Sequence, residues 1–77
     1  MSHPKIIINK WLKSKKINLD ENSNIFENEK MDSFFFIEFL IFCEKKFHFN
    51  FNKEKLYNKQ KLSLKEIYKI ILKNAKK

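Results

Sequence analysis

The segment at 33–47, SFFFIEFLIFCEKKF, restricts the fold of this chain more than any other feature. Its apolar side chains recur at helical spacing, which predicts a helix over 33–46. The residues predicted to face the core are Phe36, Ile37, Leu40, Cys43 and Phe47. A neighbouring stripe consists of Phe35, Phe39 and Phe42. Such a helix must be buried on several sides or expose an apolar patch.

Periodicity also defines the other helices, because the chain contains no glycine and a single proline. A first helix is predicted over 4–16, since Pro4 is tolerated in a first turn. Its apolar face consists of Ile7, Ile8, Trp11 and Leu12. A short helix is predicted over 53–60, around Leu56 and Tyr57.

The last helix, predicted over 63–74, has the clearest beginning. Ser63 and Glu66 have the spacing of a capping box. The apolar residues that follow at helical spacing are Leu64, Ile67, Tyr68, Ile71 and Leu72.

Two segments without helical periodicity complete the organisation. Residues 17–32 are polar and predict a long structured loop. The residues expected to hold it to the core are Ile17, Leu19, Ile25 and Phe26. Residues 48–52, HFNFN, alternate like a strand but have no partner strand, so we expect an extended connector with Phe49 and Phe51 turned inward. The prediction is one all-α domain over 1–77, a bundle of three main helices and one short helix.

The charge distribution argues against a nucleic-acid-binding protein, although the net charge is +8. All 17 basic residues are lysine, and arginine is the usual reader of guanine edges. Residues 20–44 carry seven acidic residues against one lysine, and both flanking segments are basic. An acidic middle is poorly suited to grip a polyanion.

Cysteine and histidine content limits the chemistry further. Cys43 is the only cysteine, so no internal disulfide is possible, and a reducing, cytoplasmic location is expected. Within an apolar run it is expected to be a core residue. His3 and His48 are not arranged with cysteines or each other at ligand spacing, so no metal site is predicted. The longest apolar run is too short to span a bilayer.

Asp32 and Ser33 stand out because they are polar and open the most apolar segment. Either residue is a favoured N-cap for the second helix. Alternatively, Ser33 is presented for a group to be attached, because a helix N-terminus favours a phosphate. Catalysis by Ser33 is not supported, since neither histidine has a recognisable triad setting.

These residues resemble the acyl and peptidyl carrier proteins. The resemblance rests on DSF at 32–34, EKKF at 44–47 and LSL at 62–64, and it covers roughly residues 5–73. It implies that Ser33 carries a 4′-phosphopantetheine arm, added by a phosphopantetheinyl transferase. It also implies a protein that catalyses nothing and presents thioester-bound acyl or aminoacyl groups to loading and condensing enzymes.

The resemblance assigns further roles around Ser33. Recognition by the transferase and by partner enzymes is expected to involve Asp32, Phe34, Phe35, Glu38 and Ile41. An acyl pocket is expected to be lined by Phe36, Ile37 and Leu40. A monomer is expected, without nucleic-acid partners or membrane insertion.

The sequence departs from the fatty-acid carriers at two places. Residues 28–30 read NEK where those carriers often have Asp-Leu-Gly, and Phe35 replaces a frequent acid. A specialised carrier is therefore predicted rather than the bulk fatty-acid carrier. Two alternatives stay open, namely a helical protein-interaction module and a basic nucleic-acid-binding domain that uses Lys65, Lys69 and Lys73.

Overall fold

The computed structural model describes residues 3–74, so the ends of the predicted domain, 1–2 and 75–77, lie outside the described part. The helices are α1 (Pro4–Ser14), α2 (Ser33–Phe47), α3 (Lys53–Tyr57) and α4 (Leu64–Asn74), with a 3-10 turn at Ile25–Glu27. No strand occurs within residues 3–74. The predicted small all-α bundle with a long first loop is confirmed.

Local capping explains where α1 ends, two residues before the predicted end. Lys16 adopts a left-handed conformation, with φ of 60°. The amide of Ile17 donates to the carbonyl of Leu12 at 2.9 Å, and that of Lys16 donates to Lys13 at 3.0 Å. This is the Schellman arrangement, in which Ile17 turns back onto the helix that it follows.

The beginning of α4 follows the predicted capping pattern in part. The Ser63 hydroxyl accepts from the amide of Glu66 at 3.3 Å, so Ser63 precedes the helix as its cap. The Glu66 carboxylate is bound instead by the Lys59 ammonium group, at 3.4 Å. Only the serine half of the capping box is therefore formed.

A single apolar core lies around α2 and is completed by the other helices and both connecting segments. Its buried members in the connecting segments include Ile17, Ile25, Phe49 and Phe51, as predicted. Leu19 and Phe26 are partly buried against it. Two predicted core residues are exposed, namely Ile37 on α2 and Leu72 on α4.

Helix geometry explains the error at Ile37. The deeply buried positions of α2 are Phe36, Phe39, Leu40, Cys43 and Phe47. At about 100° per residue, Ile37 points roughly 100° away from the centre of this arc. Phe39, which the sequence placed on a neighbouring stripe, is instead fully buried and shifts the arc away from Ile37.

The long loop is fixed to the segment that leads into α4. The Asn24 side chain accepts from the amide of Leu62 at 3.1 Å, and the amide of Ile25 donates to the carbonyl of Leu62 at 2.7 Å. The amide of Lys65 donates to the carbonyl of Glu21 at 3.1 Å. These bonds hold the loop in one conformation and thereby position its last residues, just before α2.

Candidate functional site

At the start of α2, Asp32 caps the helix and the adjacent Ser33 does not. The Asp32 carboxylate accepts from the amide of Phe35 at 2.8 Å, and Asp32 is the N-cap. Ser33 is the first residue of the helix and is exposed. Of the two capping candidates, Asp32 caps the helix, and Ser33 is not needed for that purpose.

The Ser33 hydroxyl differs from the other serine hydroxyls of residues 3–74. Ser14 donates to the carbonyl of Trp11 at 2.6 Å, and Ser23 donates to the Asp20 carboxylate at 3.3 Å. The Ser63 hydroxyl caps α4. Within the same residues, no hydrogen bond involves the Ser33 hydroxyl. It is therefore the one described serine hydroxyl that the fold leaves unused.

Neither histidine is arranged to activate Ser33 as a nucleophile. His48 follows the last residue of α2, so the length of the helix places it roughly 20 Å from Ser33. His3 caps α1, where its Nδ1 accepts from the amide of Lys5, and its ring packs edge-on against Tyr68. Within residues 3–74, Ser33 therefore has no histidine that would serve as a base.

An exposed apolar ridge begins next to Ser33 and follows α2. Phe34 is 79% exposed, and Ile37 and Ile41 are each 39% exposed. With Glu38 they occupy positions i, i+3, i+4 and i+7, which share one helix face. We call these four residues the α2 ridge. Three of them were predicted to contact partners, and Ile37 is the member that the sequence assigned to the core.

The other aromatic residues near Ser33 are packed against the protein. Phe35 is partly buried against Trp11, with ring centroids 5.4 Å apart. Phe36 is 2% exposed and meets Phe26 edge to face at 5.1 Å. Phe36 and Leu40 belong to the continuous core, so cargo could enter there only if these side chains moved apart.

Lysines pair with both acidic side chains of α2. Lys15 approaches the Glu38 carboxylate to 3.8 Å, and both side chains are largely exposed. Glu44 is bound by Lys53 at 2.9 Å and also accepts from the amide of Phe51 at 2.8 Å. Glu44 thereby connects α2 to α3. Because its side chain is only 11% exposed, it offers little charge to a partner.

The remaining candidate groups do not form a reactive centre. Burial, and secondarily the Glu44 charge, raises the pKa of the Cys43 thiol far above its usual range, so this thiol is unreactive. No cluster of three or more potential metal ligands occurs among residues 3–74. None of the helices described is both long and apolar enough to traverse a bilayer.

Comparison of the chain with protein-family models, curated proteins and solved structures gave no match. Its function therefore has to be inferred from the geometry of the start of α2.

Proposed function

We propose that this protein is a stand-alone carrier that bears a 4′-phosphopantetheine arm on Ser33. The observation that carries the proposal is the unused, exposed Ser33 hydroxyl on the first residue of α2. Asp32 already caps the helix, so a bond to Ser33 would break no contact of the fold. This fits the resemblance of the DSF and EKKF segments to acyl and peptidyl carrier proteins.

The position of Ser33 suits a phosphodiester for an electrostatic reason. The first amides of a helix lack intrahelical partners and carry a partial positive charge. A phosphate attached to the first residue lies beside these amides and is stabilised by them. The arm would supply a terminal thiol that holds acyl or aminoacyl groups as thioesters.

The protein's own contribution would be presentation. Attachment through one residue at a helix start leaves the arm free to reach several enzymes, and the tether keeps its cargo at a high effective concentration. The α2 ridge would give the transferase, and the loading and condensing enzymes, an apolar surface next to the attachment point. The departures at 28–30 and at Phe35 favour a specialised carrier over the bulk fatty-acid carrier.

Intact-mass measurement after co-expression with a broad-specificity phosphopantetheinyl transferase tests the proposal. The wild type should gain the mass of one arm, and Ser33→Ala should gain none. Ser14→Ala, Ser23→Ala and Ser63→Ala are matched controls that should still be modified. Modification at one of those three serines, or an unmodified wild type, would contradict the proposal.

A count of reactive thiols gives an independent readout. Cys43 is fully buried, so the native unmodified protein should show no thiol that reacts rapidly with a disulfide reagent. The modified protein should show one, at the end of the arm. A wild type that gains mass without gaining a reactive thiol would carry a different group.

A further inference from the structure

A surface cleft between α1 and α2 has no role in the carrier proposal. It has a volume of ≈ 400 Å³ and is lined by Ile7, Lys10, Trp11, Phe42 and Lys46. The rings of Trp11 and Phe42 stack at 5.0 Å with an interplanar angle of 17°. Both rings are partly buried, so the cleft has a preformed apolar wall.

The cleft is positively charged at its edges. Lys10 and Lys46 are both exposed, and neither takes part in an ion pair within residues 3–74. The Lys15 ammonium group lies 5.7 Å from the centre of the Trp11 ring, but it is paired with Glu38 and adds little net charge. No carboxylate lines the cleft. An apolar wall with unpaired cations at its edges attracts a molecule that is apolar and anionic at once.

The volume of the cleft and the geometry of the Trp11 and Phe42 rings limit the class of ligand that can bind. Small-molecule sites commonly have volumes of roughly 300–1,000 Å³, so this cleft suits a small ligand. Trp11 and Phe42 face each other, which leaves no gap for a nucleobase between them. The lysine ammonium group is a point charge without the planar fork of arginine, so it binds a carboxylate or a phosphate equally well.

We infer that the α1–α2 cleft binds a small amphipathic anion, with its apolar chain against Trp11 and Phe42 and its charged end between Lys10 and Lys46. The ligand is a free molecule rather than a lipid within a membrane surface, because the cleft has a volume of only ≈ 400 Å³. This inference does not depend on the arm at Ser33.

Trp11 is the only tryptophan and lines the cleft, so its fluorescence reports binding there, and the lysine variants below assign the change to the cleft. Titration with dodecanoate below its micelle concentration should give a saturable change in emission. Dodecyl phosphate should bind similarly, and uncharged dodecanol should bind more weakly. Ser33→Ala should bind like the wild type, which separates this test from that of the carrier proposal.

Charge variants identify the site. Lys10→Gln combined with Lys46→Gln should weaken dodecanoate binding roughly tenfold, because both cations at the edges of the cleft are removed. Lys69→Gln combined with Lys73→Gln removes the same charge from α4 and should leave binding unchanged. Circular dichroism checks that all four substitutions leave the helices intact.

Four results would overturn the inference. The first is an unchanged Trp11 emission at the solubility limit of dodecanoate. The second is equal binding of dodecanol and dodecanoate. The third is equal weakening of dodecanoate binding by the α4 control pair. The fourth is binding to vesicles of anionic phospholipid without binding to the free amphiphiles, which would indicate a membrane surface as the partner.

Discussion

At the scale of single residues, Asp32 and Ser33 should differ in their contribution to stability although they are neighbours. Asp32→Ala removes the acceptor of the Phe35 amide and should lower the free energy of unfolding by about 1 kcal/mol. Ser33→Ala removes a hydroxyl without a partner and should change it by less than about 0.5 kcal/mol. Urea denaturation measures both. A larger loss from Ser33→Ala would mean that the serine caps the helix after all.

Within residues 3–74, Tyr68 is the residue whose buried polar side-chain group lacks a hydrogen-bond partner. The side chain is 5% exposed, and its hydroxyl has no hydrogen-bond partner. A buried unsatisfied donor costs about 1–3 kcal/mol, so Tyr68→Phe should raise the free energy of unfolding by about 1 kcal/mol. Tyr57→Phe, at an exposed tyrosine, is the control and should have little effect. A loss of stability in Tyr68→Phe would reveal a partner for the hydroxyl.

The same residue gives a pH dependence. Burial, followed by the charge of Glu21, raises the pKa of Tyr68 from 10.0 to about 12. The folded state thus retains the Tyr68 proton more strongly than the unfolded state does. Ionisation of Tyr68 therefore leaves the free energy of unfolding unchanged below pH 10 and lowers it as the pH rises towards 12. The difference in phenolate absorbance between wild type and Tyr68→Phe should therefore titrate near pH 12. Titration near pH 10 would contradict this.

Single residues also show which structural roles the sequence pattern could predict and which it could not. The sequence identified both polar residues at the start of α2, but only the bond between Asp32 and Phe35 distinguishes the cap from the free serine. Ile37 was misplaced because a helix that is apolar on most sides has no unique buried face. The helical spacing of Phe34, Ile37 and Ile41 indicates that they share one face of α2. Only the burial of Phe39 shows that this face is the exposed one.

At the scale of elements, one carboxylate links α2 to α3 and to the connector before it. Glu44 accepts from the amide of Phe51 and from Lys53, at 2.8 and 2.9 Å. Its removal leaves a partly buried amide without a partner, so Glu44→Ala should lower the free energy of unfolding by about 2 kcal/mol. Glu38→Ala breaks an exposed pair and should cost under about 1 kcal/mol. Equal effects in denaturation experiments would show that Glu44 acts only as a surface charge.

The sequence predicted the number and order of the helices better than the residues at which they end. The predicted helices over 4–16 and 53–60 end earlier, at Ser14 and Tyr57, because local capping bonds close each one. The internal order of the long loop was predicted only as four apolar anchors. Its bonds to Leu62 join residues far apart in sequence, and periodicity contains no information on such pairs.

At the scale of the whole molecule, lysines of other elements pair with part of the acidic middle. Of its seven acidic residues, Asp32 caps α2, and Glu21, Glu38 and Glu44 pair with lysines. The exposed face of α2 next to Ser33 is formed by Phe34, Ile37 and Ile41, whereas Lys45 and Lys46 are exposed at the far end of the helix. We therefore expect enzymes to recognise this surface through apolar contact, with charge in a secondary role.

Modification by the transferase tests this view of the surface. Phe34→Ala should lower kcat/KM for arm transfer roughly tenfold, because a largely exposed aromatic beside Ser33 would be buried in the complex. Glu38→Lys should have a smaller effect, since Lys15 already screens this carboxylate. Lys69→Glu, on α4, is the control and should have less effect than either. Because the α2 ridge would contribute mainly apolar contacts, the rate should also depend weakly on ionic strength. A rate that falls steeply with added salt, or equal losses in Phe34→Ala and Lys69→Glu, would place the docking surface away from the α2 ridge.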